Sequence, residues 1–258
     1  MNARTRPLLL ALLALSQAAN AEVSEPAATP YRPSVSAPAA MSEPGWLDME
    51  FGWQRSKGGG DRIRESFPVA AKLAFNKDWG VVLNSELGVR RTDFSDAVFT
   101  GMGDVTLLLK HRMPTASEDA AWGIMAGAKL PVAKDSIGSG KTDLILNGIY
   151  STDFSGNNHL DANLGVTRLG AYSPGESRNQ YGWAAAFAHN LNEQWSVFVE
   201  PSGTYRRGAS STAQIMSGAS YSYSKRAVFD FAVARGLAAA APAWQVQAGV
   251  TVLLGRLW

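Results

Sequence analysis

Few side chains in this 258-residue sequence are suited to nucleophilic or metal chemistry. The chain has no cysteine, which excludes thiolate metal ligands, cysteine nucleophiles and disulfides. Its three histidines, His111, His159 and His189, are scattered and lack the spacing of a metal site. No serine lies in a Gly-x-Ser-x-Gly motif. We therefore expect no enzymatic activity, no catalytic residue, no metal site and no cofactor.

One stretch looks like the end of a phosphate-binding loop, Gly138-Ser139-Gly140-Lys141-Thr142. That motif requires a glycine five positions before Gly140, where this chain has Asp135. The stretch also leads into a predicted strand, so no helix N-terminus follows to receive a phosphate. These departures argue against nucleotide binding.

Most charged residues instead belong to segments in which apolar and polar residues alternate. From Trp46 onward the period is two, which is typical of strands with one apolar and one polar face. The alternation is clearest in residues 46–54, 79–90 and 244–254, and weakest in residues 212–224, where small residues occupy both faces. With only 18% charged residues and 25 glycines, the composition also disfavours a solvated helical protein.

We count twelve such segments after residue 45, or roughly 18 residues for each strand and its connection, whereas a tilted strand needs about 9–11 residues to cross a bilayer. Predicted short connections, at 76–78, 154–157, 190–194 and 224–226, alternate with longer ones at 56–64, 92–102, 132–140 and 170–179. Aromatic residues cluster beside both sets, which indicates two interfacial girdles. The pattern predicts an all-β fold: a transmembrane antiparallel up-and-down β-barrel of about 12 strands, with the N- and C-termini periplasmic.

The N-terminal region predicts export. Arg4 and Arg6 precede an apolar run at 8–15 and small residues at 19–21, so residues 1–21 read as a signal peptide. Residues 22–45 carry five prolines among Ala, Ser and Glu and are predicted to form a flexible tether, while residues 46–258 form the barrel. Without the signal peptide, basic and acidic residues are equal at 22 each, which argues against a nucleic-acid partner.

The chain stops on an amphipathic strand that ends in Trp258. It resembles the C-terminal signal by which the barrel-assembly machinery recognises outer-membrane barrels. The expected location is therefore the bacterial cell outer membrane, and the other expected partners are outer-membrane lipid and lipopolysaccharide.

Charged residues near the strand centres fall on the polar face, where an outward charge at mid-bilayer would cost about 2–4 kcal/mol. They could line a hydrated path, or they could pair and fill a narrow lumen, and the sequence leaves both open. The candidate lumen-lining residues are Glu50, Lys72, Glu86, Asp104, Lys110, Lys129, Asp143, Asp161, Glu200 and Asp230.

Three stretches carry a family resemblance: residues 103–112, residues 129–131 together with 138–144, and residues 235–237 together with 241–246. They are similar to the outer-membrane transporter family associated with a meta-pathway of phenol degradation. The resemblance implies a channel for passive passage of small molecules, with aromatic or hydrophobic compounds as the expected solutes. The alternatives are a closed structural or adhesive barrel without transport and, less favoured, an outer-membrane enzyme.

Overall fold

An antiparallel sheet accounts for most of the chain in the computed structural model, which describes residues 25–117 and 119–258. The predicted signal peptide lies outside the described residues. Thirteen strands are present in the described part: β1 (Trp46–Gly58), β2 (Asp61–Ala74), β3 (Trp79–Thr92), β4 (Val98–Gly101), β5 (Val105–Pro114), β6 (Ala120–Leu130), β7 (Asp143–Phe154), β8 (Asn158–Arg168), β9 (Asn179–Asn190), β10 (Trp195–Tyr205), β11 (Thr212–Ser224), β12 (Ala227–Gly236) and β13 (Pro242–Arg256). Over the same residues, no helix is long and apolar enough to cross a bilayer.

Twelve of these strands close into a barrel. Each of the twelve pairs with the barrel strands before and after it in the chain, and β13 pairs with β1. The short strand β4 is not one of the twelve and pairs only with residues 89–92 of β3. Closure leaves no strand edge unpaired, which is the condition for a sheet to lie in lipid. The prediction of an all-β, up-and-down barrel of about twelve strands is confirmed.

The outer face of the sheet is apolar and the inner face is polar, which is the reverse of a soluble barrel. Along β5, Leu109 is 45% exposed while the adjacent Lys110 is fully buried. Along β3, Leu83 is 40% exposed while Val82 is buried. Since alternate side chains point to opposite faces, the large apolar residues form an outer belt and the charges face the lumen.

The barrel has two distinct ends. Trp46 pairs with Arg256, so β1 starts and β13 stops at one end, which we call the terminus end; the opposite end is the loop end. Connections at the terminus end are short, and three of those at the loop end, 93–104, 131–142 and 169–178, are long, as predicted. The predicted long connection at 56–64 is wrong: Gly58 and Gly59, with φ of +85° and +74°, close a tight hairpin there.

Aromatic side chains form a girdle around the terminus end. Trp79 stacks on His111 at 4.1 Å between ring centroids, and four more ring pairs follow around the circumference: Trp122 with Tyr150, Phe154 with Phe187, Trp195 with Tyr221, and Tyr223 with Phe229. Such rings are favoured at a membrane interface because one edge is apolar and the other can reach water. At the loop end the exposed Tyr172, Tyr181 and Tyr205 occupy comparable positions.

The N-terminal residues lie inside the barrel instead of forming a free tether. Residues 25–45 have no regular strand or helix, yet Ser36 is 1% exposed and Ala39 is fully buried. The segment starts beside the β11–β12 turn, where Ala28 N donates to Lys225 O at 2.8 Å, and it leaves where Gly45 N donates to Ala74 O at 2.9 Å. We call residues 28–44 the lumen segment.

Candidate functional site in the lumen

The lumen segment runs in a circuit around the inner wall, and side chains of the wall bind its backbone. Its N–H groups donate to acceptors on strands β1, β10, β8 and β7 in turn, with most distances between 2.6 and 3.0 Å. The pairs are Thr29 and Asp48, Tyr31 and Glu50, Val35 and Glu200, Ser36 and Glu200, Ala37 and Asn163, and Ala39 and Ser151. A Pro- and Ala-rich stretch with no sheet partner thereby satisfies its buried backbone donors.

The carbonyl groups of the lumen segment are bound by the long side chains of the wall. Lys110 Nζ donates to Pro38 O and Ala40 O, each at 2.6 Å, and Gln247 Nε2 donates to Pro33 O at 2.6 Å. Asn163 does both tasks at once, because its amide accepts from Ala37 N and donates to Ala37 O, each at 2.9 Å. The wall thus replaces the partner strand that the segment lacks.

Two buried lysines converge on Tyr31 near the centre of the circuit. The ammonium groups of Lys72 and Lys110 each lie 4.4 Å from the centroid of its ring, and Lys110 also donates to its hydroxyl at 2.5 Å. Lys72 is paired with Glu50 at 2.6 Å and Asp48 at 3.3 Å. Lys72 and its two carboxylates compensate one another, as buried ions require, whereas Lys110 is bound by the Tyr31 hydroxyl and by carbonyl groups of the lumen segment.

Apolar packing completes the plugged half. Ala39 packs in a cluster with Val82, Leu108, Met125 and Ile149, all on the inner face of the neighbouring strands. A Cβ at Gly123 would be in ordinary van der Waals contact with Ala39, 3.6 Å from its Cβ, so the segment packs closely on the wall there. On the terminus side the lumen is therefore filled.

The loop-end half of the lumen is open. A cavity of about 620 Å³ lies above residues 31–37 of the lumen segment, which form its floor. Uncharged amides and hydroxyls provide most of the polar wall: Asn84, Asn147, Asn163, Thr167, Gln180, Ser202, Thr204, Thr212 and Gln214. Val82, Leu108, Met125 and Ile145 add an apolar patch. Neutral donors and acceptors beside apolar surface suit an uncharged solute with one or a few polar groups.

Charged residues lie beside this cavity at the loop end, where Asp104 and Lys129 line a second, smaller cavity. Lys129 lies between Asp143 at 2.9 Å and Asp104 at 3.2 Å. Asp104 also accepts from Ala133 N at 3.1 Å, and Arg91 donates to Ser136 O at 3.1 Å. These bonds tie the connection 131–142 to the inside of the wall, so it narrows the mouth on that side.

Nine of the ten predicted lumen residues lie inside the barrel in two groups. Glu50, Lys72, Lys110, Glu200 and Asp230 contact the lumen segment directly. Near the loop end, Glu86 accepts from Arg64 at 2.6 Å, and Asp104, Lys129 and Asp143 form the cluster just described. They do not line one continuous open path, and their part in transport stays a prediction.

The tenth residue, Asp161, belongs to a serine–histidine–aspartate group that is arranged wrongly for catalysis. Ser151 Oγ donates to Asp161, and both ring nitrogens of His159 face carboxylates, Asp161 at 3.1 Å and Asp153 at 2.6 Å. A nucleophilic serine needs the histidine itself as its base, and here no ring nitrogen faces Ser151. Among the described residues, no group of three or more His, Asp or Glu side chains could hold a metal ion.

A closed twelve-stranded barrel with an apolar outer belt, an aromatic girdle and a polar lumen defines a transmembrane β-barrel protein. Residues 49–254 match the family model described as "Putative MetA-pathway of phenol degradation", and the chain belongs to that family. The resemblance seen in the sequence is thereby confirmed.

Solved structures of outer-membrane channels share the fold. The COG4313 outer membrane channel from Pseudomonas putida F1 superposes with a TM-score of 0.67 at 11% identity, covering 84% of this chain and 98% of the channel. The KdgM porin gives 0.56 at 8% identity, with 81% and 99% covered. The CymD monoaromatic hydrocarbon channel gives 0.50 at 11% identity, with 84% and 90% covered. No curated protein matches the sequence.

Proposed function

We propose that the protein is a channel of the bacterial outer membrane through which small uncharged molecules pass passively. The observation that carries the proposal is the cavity of about 620 Å³, which occupies the loop-end half of the lumen. In an outer-membrane barrel, short turns are periplasmic and long loops are external. The terminus end then faces the periplasm and the cavity faces outward.

Aromatic or weakly polar compounds are the proposed solutes. A phenol combines an apolar ring with one hydroxyl, and the cavity wall offers neutral amides such as Asn147 and Gln214 beside Val82 and Ile145. The description of the family supports the same class. Charged solutes suit the cavity less well, because its wall provides few compensating charges.

The second candidate is a closed structural barrel, and the lumen segment favours it because that segment fills the terminus-end half. Liposome swelling separates the two. With the full-length chain in the bilayer, a channel lets small neutral solutes that cross lipid slowly, such as glycerol, in faster than protein-free vesicles do. Equal rates for every solute, from a preparation whose unboiled gel band migrates fast as a folded barrel, would contradict the channel.

Assembly through the C-terminal strand is a separate proposal. Trp258 is 55% exposed at the terminus end, beside Leu257, whose N–H donates to Gly45 O at 2.7 Å. We expect Trp258→Ala to reduce the amount of heat-modifiable barrel in outer-membrane fractions, with the exposed Trp122→Ala of the same girdle as the control. Equal reductions in both would show a general aromatic effect.

A further inference from the structure

Two glycines and an aspartate form a row across three strands on the inner wall. Gly52 of β1 is the direct pairing partner of Gly249 of β13, and Gly249 is in turn the partner of Asp230 of β12. The side chain of Arg32, from the lumen segment, lies on this row. A Cβ at Gly52 or at Gly249 would overlap the Arg32 guanidinium.

Space, and not backbone conformation, explains the glycine at position 52. Neither Gly52 nor Gly249 has a positive φ, so any L-residue could adopt either backbone. The three nearest atoms to a Cβ at Gly52 all belong to the Arg32 guanidinium, whereas one at Gly249 would also approach Phe51 O at 2.6 Å. The absence of a side chain at Gly52 leaves the space that the Arg32 guanidinium occupies.

The remaining contacts offer one carboxylate and one carbonyl to Nη2 of the guanidinium, while Arg32 Nε has no hydrogen-bond partner. Arg32 Nη2 lies 3.4 Å from Asp230 Oδ1 and donates to Ala248 O at 3.2 Å. The Asp230 side chain is 2% exposed, and its Oδ2 has no hydrogen-bond partner. A buried carboxylate beside a carbonyl and a flat glycine floor calls for a planar cation with several N–H donors.

We propose that Gly52, Gly249, Asp230 and the Ala248 carbonyl form a guanidinium-binding slot. In the resting protein the occupant is Arg32, which fastens the lumen segment to the wall. Once that side chain is removed, the slot takes a small free guanidinium compound, for which methylguanidinium is the probe. This is a binding site, and it holds whether or not the barrel transports solutes.

The test measures how firmly the lumen segment is docked. Because the chain has no cysteine, Ser36→Cys places one thiol at a position that is 1% exposed. The rate at which a small neutral maleimide labels this thiol in the full-length barrel then reports how often the segment leaves the wall. No step in the measurement depends on transport.

We expect Arg32→Ala in this background to raise the labelling rate by about tenfold or more, since hydrogen bonds to charged groups shift an equilibrium by that much. Millimolar methylguanidinium should slow the labelling of Arg32→Ala back toward the parent rate. Methylammonium, a cation without a planar set of N–H donors, should not slow it. Adding Gly52→Ala to Arg32→Ala should abolish the rescue, because its Cβ fills the slot.

Gly182→Ala is the matched control, since a Cβ at that lumen position would lie 4.0 Å from its nearest neighbour. Added to Arg32→Ala, it should leave the rescue by methylguanidinium intact. Arg32→Lys keeps the positive charge but lacks the planar guanidinium. Its Ser36→Cys thiol should be labelled at a rate between those of the parent and of Arg32→Ala. Fast gel migration without boiling shows for each variant that the barrel is closed.

Three results would each overturn the slot. One is a labelling rate unchanged by Arg32→Ala, and another is equal protection by methylammonium. The third is a rescue that survives Gly52→Ala. Failure of the barrel to pass solutes would leave all three readouts in place, so this test and that of the channel are independent.

Discussion

The terminus-end and loop-end halves of the lumen are built from the same twelve strands but differ in what satisfies their polar groups. In the terminus-end half, Lys72, Lys110 and Glu200 are buried and bind the backbone of the lumen segment. In the loop-end half, amides such as Asn147 and Gln214 face a cavity of about 620 Å³. Buried charge thus surrounds the filled part, uncharged amides face the cavity, and a second set of charges lies at the loop end.

This difference teaches that charge on the inner face of a barrel does not by itself indicate an open path. A buried charge is stable only when groups of the protein compensate it, and the lumen segment provides those groups with its backbone. Uncharged side chains can face water or a solute without such compensation. The two halves should therefore respond differently to equivalent changes.

Removing the filled half should have the largest effect. Deletion of residues 29–43 should raise single-channel conductance in planar bilayers several-fold, because the remaining wall encloses a continuous lumen. A synthetic peptide of residues 28–44 added to the deletion variant should lower the conductance again, and a scrambled peptide should not. Conductance equal to that of the full-length chain would show that the segment does not limit the path.

Lys72→Met should give the largest loss of stability. It leaves Asp48 and Glu50 buried without their shared cation, and breaking a buried ion pair costs about 3–5 kcal/mol. The measurement is the urea midpoint for loss of the fast-migrating gel band. Lys77→Met, in the exposed terminus-end turn, is the control and should leave the midpoint unchanged. Equal midpoints for both variants would contradict the compensation described above.

Glu200→Gln should have a smaller effect that is confined to docking of the lumen segment. Glu200 accepts from Ser34 Oγ, Val35 N and Ser36 N at 2.9, 2.8 and 2.7 Å. The amide keeps the shape but loses the charge and replaces one accepting oxygen by an NH2 group that cannot accept, so we expect a cost of about 1–2 kcal/mol. The maleimide should therefore label an Ala39→Cys thiol faster in the Glu200→Gln variant than in the parent. Glu193→Gln, in the exposed β9–β10 turn, should label like the parent.

Lys129→Met, in the loop-end half, should change stability least. The Lys129 side chain is 20% exposed, against 1% for Lys72, so its removal should cost less than the removal of Lys72. Its loss leaves Asp104 and Asp143 uncompensated at the mouth, which should shift the reversal potential toward cation selectivity. If instead Lys129→Met destabilises the barrel as much as Lys72→Met, the distinction between the halves fails.

The alternation of residues predicts the wall of the barrel well. Pairs such as Leu109 and Lys110 fall on opposite faces because lipid selects the apolar side chain and the lumen selects the charge. The hairpin at Gly58 and Gly59 was less predictable: polar residues near a strand end suit a loop or an inner face equally well. The alternation of connections between the two ends, in contrast, follows directly from the up-and-down topology, although it does not fix their lengths.

Docking of the lumen segment could not be predicted from its composition. Proline, alanine and serine are typical of a free linker, and the hydrogen bonds that hold the segment come from its backbone, which the sequence does not display. The strands of the barrel wall, however, do carry a sequence signal of this docking. Gly52 and Gly249 are inward glycines on paired strands, and they become informative only after the strand register is known. Asn163, which binds both backbone groups of Ala37, gives no signal of its own.

The lumen segment enters the barrel beside Lys225 and leaves it beside Ala74, and both of these residues lie at the terminus end. It is therefore an inserted loop and not a thread through a ring, so it can be withdrawn without any chain end crossing the barrel. A folded domain of any size fused ahead of residue 25 would stay on the terminus side throughout. A force that withdraws the loop would therefore have to act from the terminus end.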